Sequence, residues 1–279
     1  MKARTIGMLA LAGAIVSAAT TAPACENCKK GFVFGKPVAI GNGMAFTWAR
    51  FNKATKKIES IGVTLTETAL EGLPKASDIK SPIPMEMWNL ELPKEIQGLP
   101  YDHVEVDWNP VGHPPAKIYD KPHFDFHFYT IDSVTQQKIT AAGADLKRCL
   151  KKPDAKFVPA GYILPPDTSF PKMGTHWINP ATAPELSNGN FTSTFIYGSY
   201  NGRTAFWEPM ITKEFLESKP AFWQKIAPPK AYDATGYFPT SYSVKYNADR
   251  HEVSVSLDGL VYRKAAKVKP MTLTIHKKR

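Results

Sequence analysis

From residue 123 to residue 129 the chain alternates without a break: His-Phe-Asp-Phe-His-Phe-Tyr. In an extended strand this sets Phe124, Phe126 and Phe128 on one face and His123, Asp125, His127 and Tyr129 on the other. His103 to Trp108 repeats the device, with Val104, Val106 and Trp108 opposite His103, Glu105 and Asp107. The same period of two marks residues 44–51 and 57–70, joined by a turn-like Asn52 to Lys56, and residues 85–92. Asn201-Gly202 between the alternating runs 191–200 and 203–210 predicts a tight hairpin, because both turn positions need positive φ. A last pair falls at 241–246 and 252–257, followed by 259–263. The period changes after Tyr129. Ser133 with Gln136 three residues on has the form of a capping box, and Val134 to Leu150 carries helical spacing. A short helix is predicted around 212–218. Prolines and glycines break 72–84 and 109–122. About ten locally pairing strands and dense turns predict a mainly β fold. The expected form is an antiparallel β-barrel or sandwich with two or three helical insertions. No break in composition divides residues 25–279, which read as one β-rich domain.

Composition narrows the class. With 43% apolar residues the chain of 279 can bury a core, which excludes a disordered polymer, and three Cys are too few for a disulfide scaffold. Residues 1–24 have the form of a secretory signal peptide. Lys2 and Arg4 precede the apolar run Ile6 to Val16, and Ala22-Pro23-Ala24 resembles a cleavage site. That run is shorter than the ~20 residues of a spanning helix. The mature protein is therefore expected to be periplasmic or secreted, without a transmembrane segment. Loss of Lys2 and Arg4 lowers the formal charge from +10 to +8. The remaining basic residues are scattered and densest in 264–279, which reads as a solubilising surface. With no nucleic-acid motif, no nucleic-acid partner is expected.

Cys25 and Cys28 form a Cys-x-x-Cys pair followed by Lys29, so the haem-attachment pattern, which needs His there, is absent. In an oxidising compartment a structural disulfide is expected. Two pairings fit: Cys25 with Cys28, or one of them with Cys149. The Lys and Arg residues around Cys149 would lower its pKa. No Gly-x-Ser-x-Gly, phosphate loop or dinucleotide fingerprint is present.

The candidate chemistry lies in the histidines. A row of imidazole and carboxylate groups behind an apolar strand face is costly unless satisfied, and this donor set suits Zn, Mn, Fe or Cu. Neighbours on one strand face stand ~6.6 Å apart and His123 and His127 ~13 Å, so on a straight strand one ion takes an adjacent pair only. Other parts of the chain must complete the shell. His176, in Met173-Gly-Thr-His-Trp177, comes first. His113, in Gly112-His-Pro-Pro115, comes second. Glu208 is a fourth ligand or a general base. His103 ranks behind them, and His251 and His276 are set aside. The leading expectation is a mononuclear centre of a divalent transition metal. Its ligands come from His123, Asp125, His127 and His176, with His113 or Glu208. The ion would act as a Lewis acid or activate water for a small-molecule substrate. A non-catalytic periplasmic ligand-binding or stress-related protein, and a structural homo-oligomer of the envelope, are the alternatives.

At these blocks the chain resembles an uncharacterised family of exported bacterial proteins. The shared segments are Gly-His-Pro-Pro (112–115), Pro-His-Phe-Asp-Phe-His-Phe-Tyr (122–129), Met-Gly-Thr-His-Trp (173–177) and Glu-Pro-Met (208–210), within roughly 100–215. The resemblance implies a shared site rather than a known activity. The His-bearing strands are also similar to those of cupin barrels, which bind metal through His-x-His, a Glu and a later His. Here Asp125 stands between the two His.

Overall fold

The computed structural model describes residues 31–266. The signal-like segment, Cys25, Cys28 and His276 lie outside the described residues. The chain enters a first sheet with β1 (Phe32–Phe34), β2 (Val38–Ile40), β3 (Gly43–Phe51) and β4 (Ile58–Thr66), then crosses to a second with β5 (Glu86–Glu91), β6 (His103–Asn109) and β7 (His123–Tyr129). Two short helices follow, α1 (Ser133–Gln137) and α2 (Gly143–Cys149), then β8 (Ser169–Phe170), β9 (Gly174–Trp177) and α3 (Pro184–Asn188). The hairpin β10 (Ser193–Tyr200) and β11 (Arg203–Thr212) ends in α4 (Lys213–Glu217). The chain returns through β12 (Ala221–Lys225), β13 (Gly236–Phe238), β14 (Ser241–Asn247), β15 (Glu252–Asp258) and β16 (Val261–Arg263).

Seven strands form each large sheet. The first runs β1-β3-β4-β15-β14-β12, with β2 also on β3; the second runs β5-β6-β7-β11-β10-β9-β8; β13 and β16 form a separate ribbon. The fold is mainly β and antiparallel, and one sheet curls into half a barrel. The predicted hairpins stand where the alternation placed them. Phe124, Phe126 and Phe128 are fully buried in one core with Val104, Val106 and Trp207, against Ile61, Val63, Leu65, Val253, Val255 and Leu257 of the first sheet. Burial of each such ring stabilises the fold by roughly 2–3 kcal/mol.

Three expectations change. The helix from Val134 to Leu150 is broken in two. The amides of Thr140 and Ala141 donate to the Asp145 carboxylate, and Ala141 and Gly143 adopt positive φ, so a side chain takes backbone donors that a helix would use. Asp132, not Ser133, caps α1, accepting from the Thr135 amide. Four α-helices stand among the described residues instead of two or three, and β1, β2, β8, β9, β12 and β13 were not expected. These strands have two to five residues each, too few for alternation to mark them. No helix among the described residues is long and apolar enough to cross a membrane.

Candidate metal centre

The face of the second sheet turned away from the core carries the polar row. In the β6–β7 register Asp107 pairs with Asp125 and Asn109 with His123. Glu208 comes from β11, whose Met210 pairs with Asp125 on the other side of β7. His176 comes from β9, separated from β7 by β11 and β10. Its partner in β10 is Gly198, which also pairs with Phe206 of β11. With no side chain at Gly198, the Phe206 ring lies across that strand, and a Cβ there would stand 2.1 Å from the ring. Phe206 packs against both His127 and His176, with centroids 4.8 and 5.0 Å apart. His113 arrives on the proline-rich crossing. Gly112 has φ +74°, and a Cβ on it would meet the Tyr119 carbonyl at 1.9 Å. The turn closes there, with the His113 amide donating to that carbonyl at 3.1 Å.

The imidazoles are oriented alike. His113 Nδ1 lies 2.8 Å from the Pro114 carbonyl, His123 Nδ1 2.7 Å from that of Lys121, and His176 Nδ1 2.9 Å from that of Thr168. A carbonyl only accepts, so each Nδ1 carries the hydrogen and each neutral ring presents Nε2 as a lone-pair donor. His127 Nδ1 faces the carboxylate of Asp107 at 3.2 Å. All four Nε2 atoms then point at two carboxylates. His123 stands 3.2 Å and His113 3.8 Å from Asp125; His127 stands 3.5 Å and His176 3.7 Å from Glu208. Ring nitrogens locked from behind and converging on carboxylates form the usual surroundings of metal ligands.

These buried atoms lack partners. His123 Nε2, both ring nitrogens of His127, Asp125 Oδ1, Glu208 Oε2 and both oxygens of Asp107 make no hydrogen bond. Leaving one such group unpaired costs roughly 1–3 kcal/mol. They crowd together in one place.

The charge states follow. Burial would raise Asp125, but the imidazoles of His123, His113 and His127 outweigh it and hold the carboxyl well below the usual range. Burial pushes Glu208 well above that range. His127 opposes the rise, and Asp125 and Asp107 add to it. Burial and then Asp125 push Asp107 up as well. His176 is driven down to about 3 by burial and by His127, and burial also lowers His113. Burial thus favours the neutral, lone-pair-bearing form of His176 and His113.

Aromatic rings wall the cluster. Phe191 stacks edge-on against His123 at 5.1 Å and Tyr119 lies 5.6 Å from His113. Phe170 stands against His113 and His176, at 6.5 and 5.4 Å. The side chains of Asp125 and Glu208 are 3% and 2% exposed, while those of His113 and His176 are 18% and 11% exposed. The centre therefore opens to solvent along the His113–His176 edge.

All six residues singled out from the sequence stand in this region, in two groups: His113, His123 and Asp125, and His127, His176 and Glu208. Within each group the donor atoms lie within 4.8 Å of one another. The row on β7 is thereby divided, with His123 and His127 in different groups. His103 belongs to a separate buried network, bonding Asp102 and Gln136, which in turn donates to Glu105. His251 is exposed beside Glu67. Sequence reasoning missed Asp107 and Asn109, whose amide donates to Asp125 Oδ2 at 2.8 Å. The shared alternation of β6 and β7 was the signal that could have found them. Cys149 is buried with a free thiol. Burial and Asp145 raise its pKa, correcting the expectation that its basic neighbours lower it.

Fold and site together describe an antiparallel β protein with a His/carboxylate cluster under one sheet. Residues 57–108 match an uncharacterised family described as TTHB210-like, hypothetical protein TTHB210. The matched stretch runs through β4, β5 and β6 and stops before the six cluster residues. No curated protein matches the chain, and no solved structure matches it.

Proposed function

We propose that the protein is an exported metal-binding protein. It holds a divalent transition metal (Zn, Mn, Fe or Cu) in the cluster of His113, His123, Asp125, His127, His176 and Glu208, and there it acts on or binds a small molecule. One observation carries the reading. Four imidazoles turn their Nε2 atoms to two carboxylates in a buried space where several of these atoms have no hydrogen-bond partner. A cation satisfies the imidazole and carboxylate donors around it together, whereas water or protons would serve them only in part. The signal-like residues 1–24 support export. The solvent edge at His113 and His176 supports access, and a bound ion there would polarise a carbonyl or activate water, with Asp107 or Glu208 able to take the proton.

Metal analysis of untagged protein tests this. Wild-type protein should carry metal, and His127→Ala and His176→Ala should reduce it. Less than about a tenth of an ion per chain after metal exposure, unchanged in the variants, removes the proposal. Turnover of small esters, sugars and keto acids with and without chelator separates an enzyme from a binding protein.

A further inference from the structure

We infer that the centre is built for two metal ions side by side, one held by His113, His123 and Asp125 and the other by His127, His176 and Glu208. The inference rests on the metal-binding reading and deepens it. The two groups share no residue, and each has two imidazoles and one carboxylate. That donor set is sufficient for a transition metal and leaves coordination positions open.

One ion cannot serve both groups. β7 pairs with β6 without a register shift from His123 to Tyr129, and its pairs with β11 keep one register from Phe206↔Tyr129 to Thr212↔His123. The strand is thus unbulged, and His123 and His127 remain ~13 Å apart along it. Their nitrogens turn to different carboxylates, His123 to Asp125 and His127 to Glu208. Asp125 spends both oxygens on the first group, Oδ1 facing His123 and Oδ2 facing His113.

Charge points the same way. Asp107, Asp125, Glu208 and Glu105 are buried on this face, and none forms an ion pair with Lys or Arg among the described residues. A single ion at one group leaves the buried carboxylate of the other, Asp125 or Glu208, without a cation beside it, and an ion in each group serves both. Each group also contributes one of the two partly exposed histidines, and both flank Phe170. The two ions would therefore face the same opening. The ligand class this fits is a small molecule with an oxygen-rich anionic group, such as a carboxylate or phosphate, that offers an oxygen to an ion at that opening.

The test is a count. Full-length protein is stripped with chelator, dialysed and titrated with Zn²⁺, and the bound metal is measured. The expected result is two ions per chain in wild type, one in His113→Ala and one in His176→Ala, with circular dichroism unchanged. One ion in wild type overturns the inference and leaves the metal-binding reading standing; none overturns both. Loss of all metal from either single variant, still folded, shows one shared site and also overturns it. If a variant unfolds, the wild-type count and the spin coupling of the Mn²⁺-loaded protein decide. A coupled pair is expected, and an isolated-ion spectrum at saturation contradicts the inference.

Discussion

At Gly198 the absence of a side chain has the widest consequences. Phe206 fills the space where a Cβ would be and braces His127 and His176. Gly198→Ala should displace that ring, cost about 1–3 kcal/mol in urea denaturation, and weaken metal binding by the His127 group more than by the His113 group. Protonation at single residues sets the pH behaviour. His176 is neutral in the fold down to about 3, against 6.5 ordinarily. Across that window the unfolded chain binds more protons, so its contribution to stability is full above the window and lost as pH falls, by up to about 1.4 kcal/mol per pH unit. Glu208 and Asp107 act in the opposite sense. Their raised pKa values favour the fold in acid, an advantage full below the ordinary carboxylate range and lost as pH rises from there toward the raised values. Metal-free protein should therefore lose stability on both sides of weak acidity, and metal should abolish the loss on the alkaline side while releasing protons. Urea titrations at several pH values with and without Zn²⁺ read the first effect. Calorimetry in buffers of different ionisation enthalpy reads the second.

At the scale of the element, β7 keeps packing and chemistry on separate faces. Phe126→Ala removes a fully buried ring and should cost about 3–5 kcal/mol. Because Phe126 points away from the donors, metal stoichiometry at low temperature should be unchanged, and loss of metal from a folded variant would contradict that separation. The same strand shows what the sequence made legible. A period of two announced β6, β7, β10 and β11 and the direction of their apolar faces. It did not announce that the polar face of β7 is buried, because the cover comes from segments without periodicity: the crossing with Tyr119, the Phe170 turn and Phe191. The broken helix at Lys138–Ala142 escaped notice for a related reason. Asp145 binds backbone amides ahead of it, and helical spacing alone cannot signal that competition.

For the whole molecule, two sheets share one core, and the His/carboxylate cluster lies beneath the outer face of the second. The candidate donors come from β7, β9, β11 and a crossing loop, so an ion held by His127, His176 and Glu208 would tie together parts of the chain about 81 residues apart. Anything that binds only the folded state stabilises it by mass action, about 2.7 kcal/mol at a hundredfold excess over Kd. Chelation should accordingly lower the melting temperature by several degrees, and Zn²⁺ should restore it. The candidate ligands were legible as residue types in a pattern, but their division into two groups was not, because it depends on which carboxylate each imidazole faces across strands. Anomalous diffraction from crystals of metal-loaded protein, collected at the metal edge, tests the account most directly. It predicts density about 2.0–2.2 Å from the Nε2 atoms of His123 and His127. A flat map at the cluster in crystals whose only metal lies on the surface would contradict it.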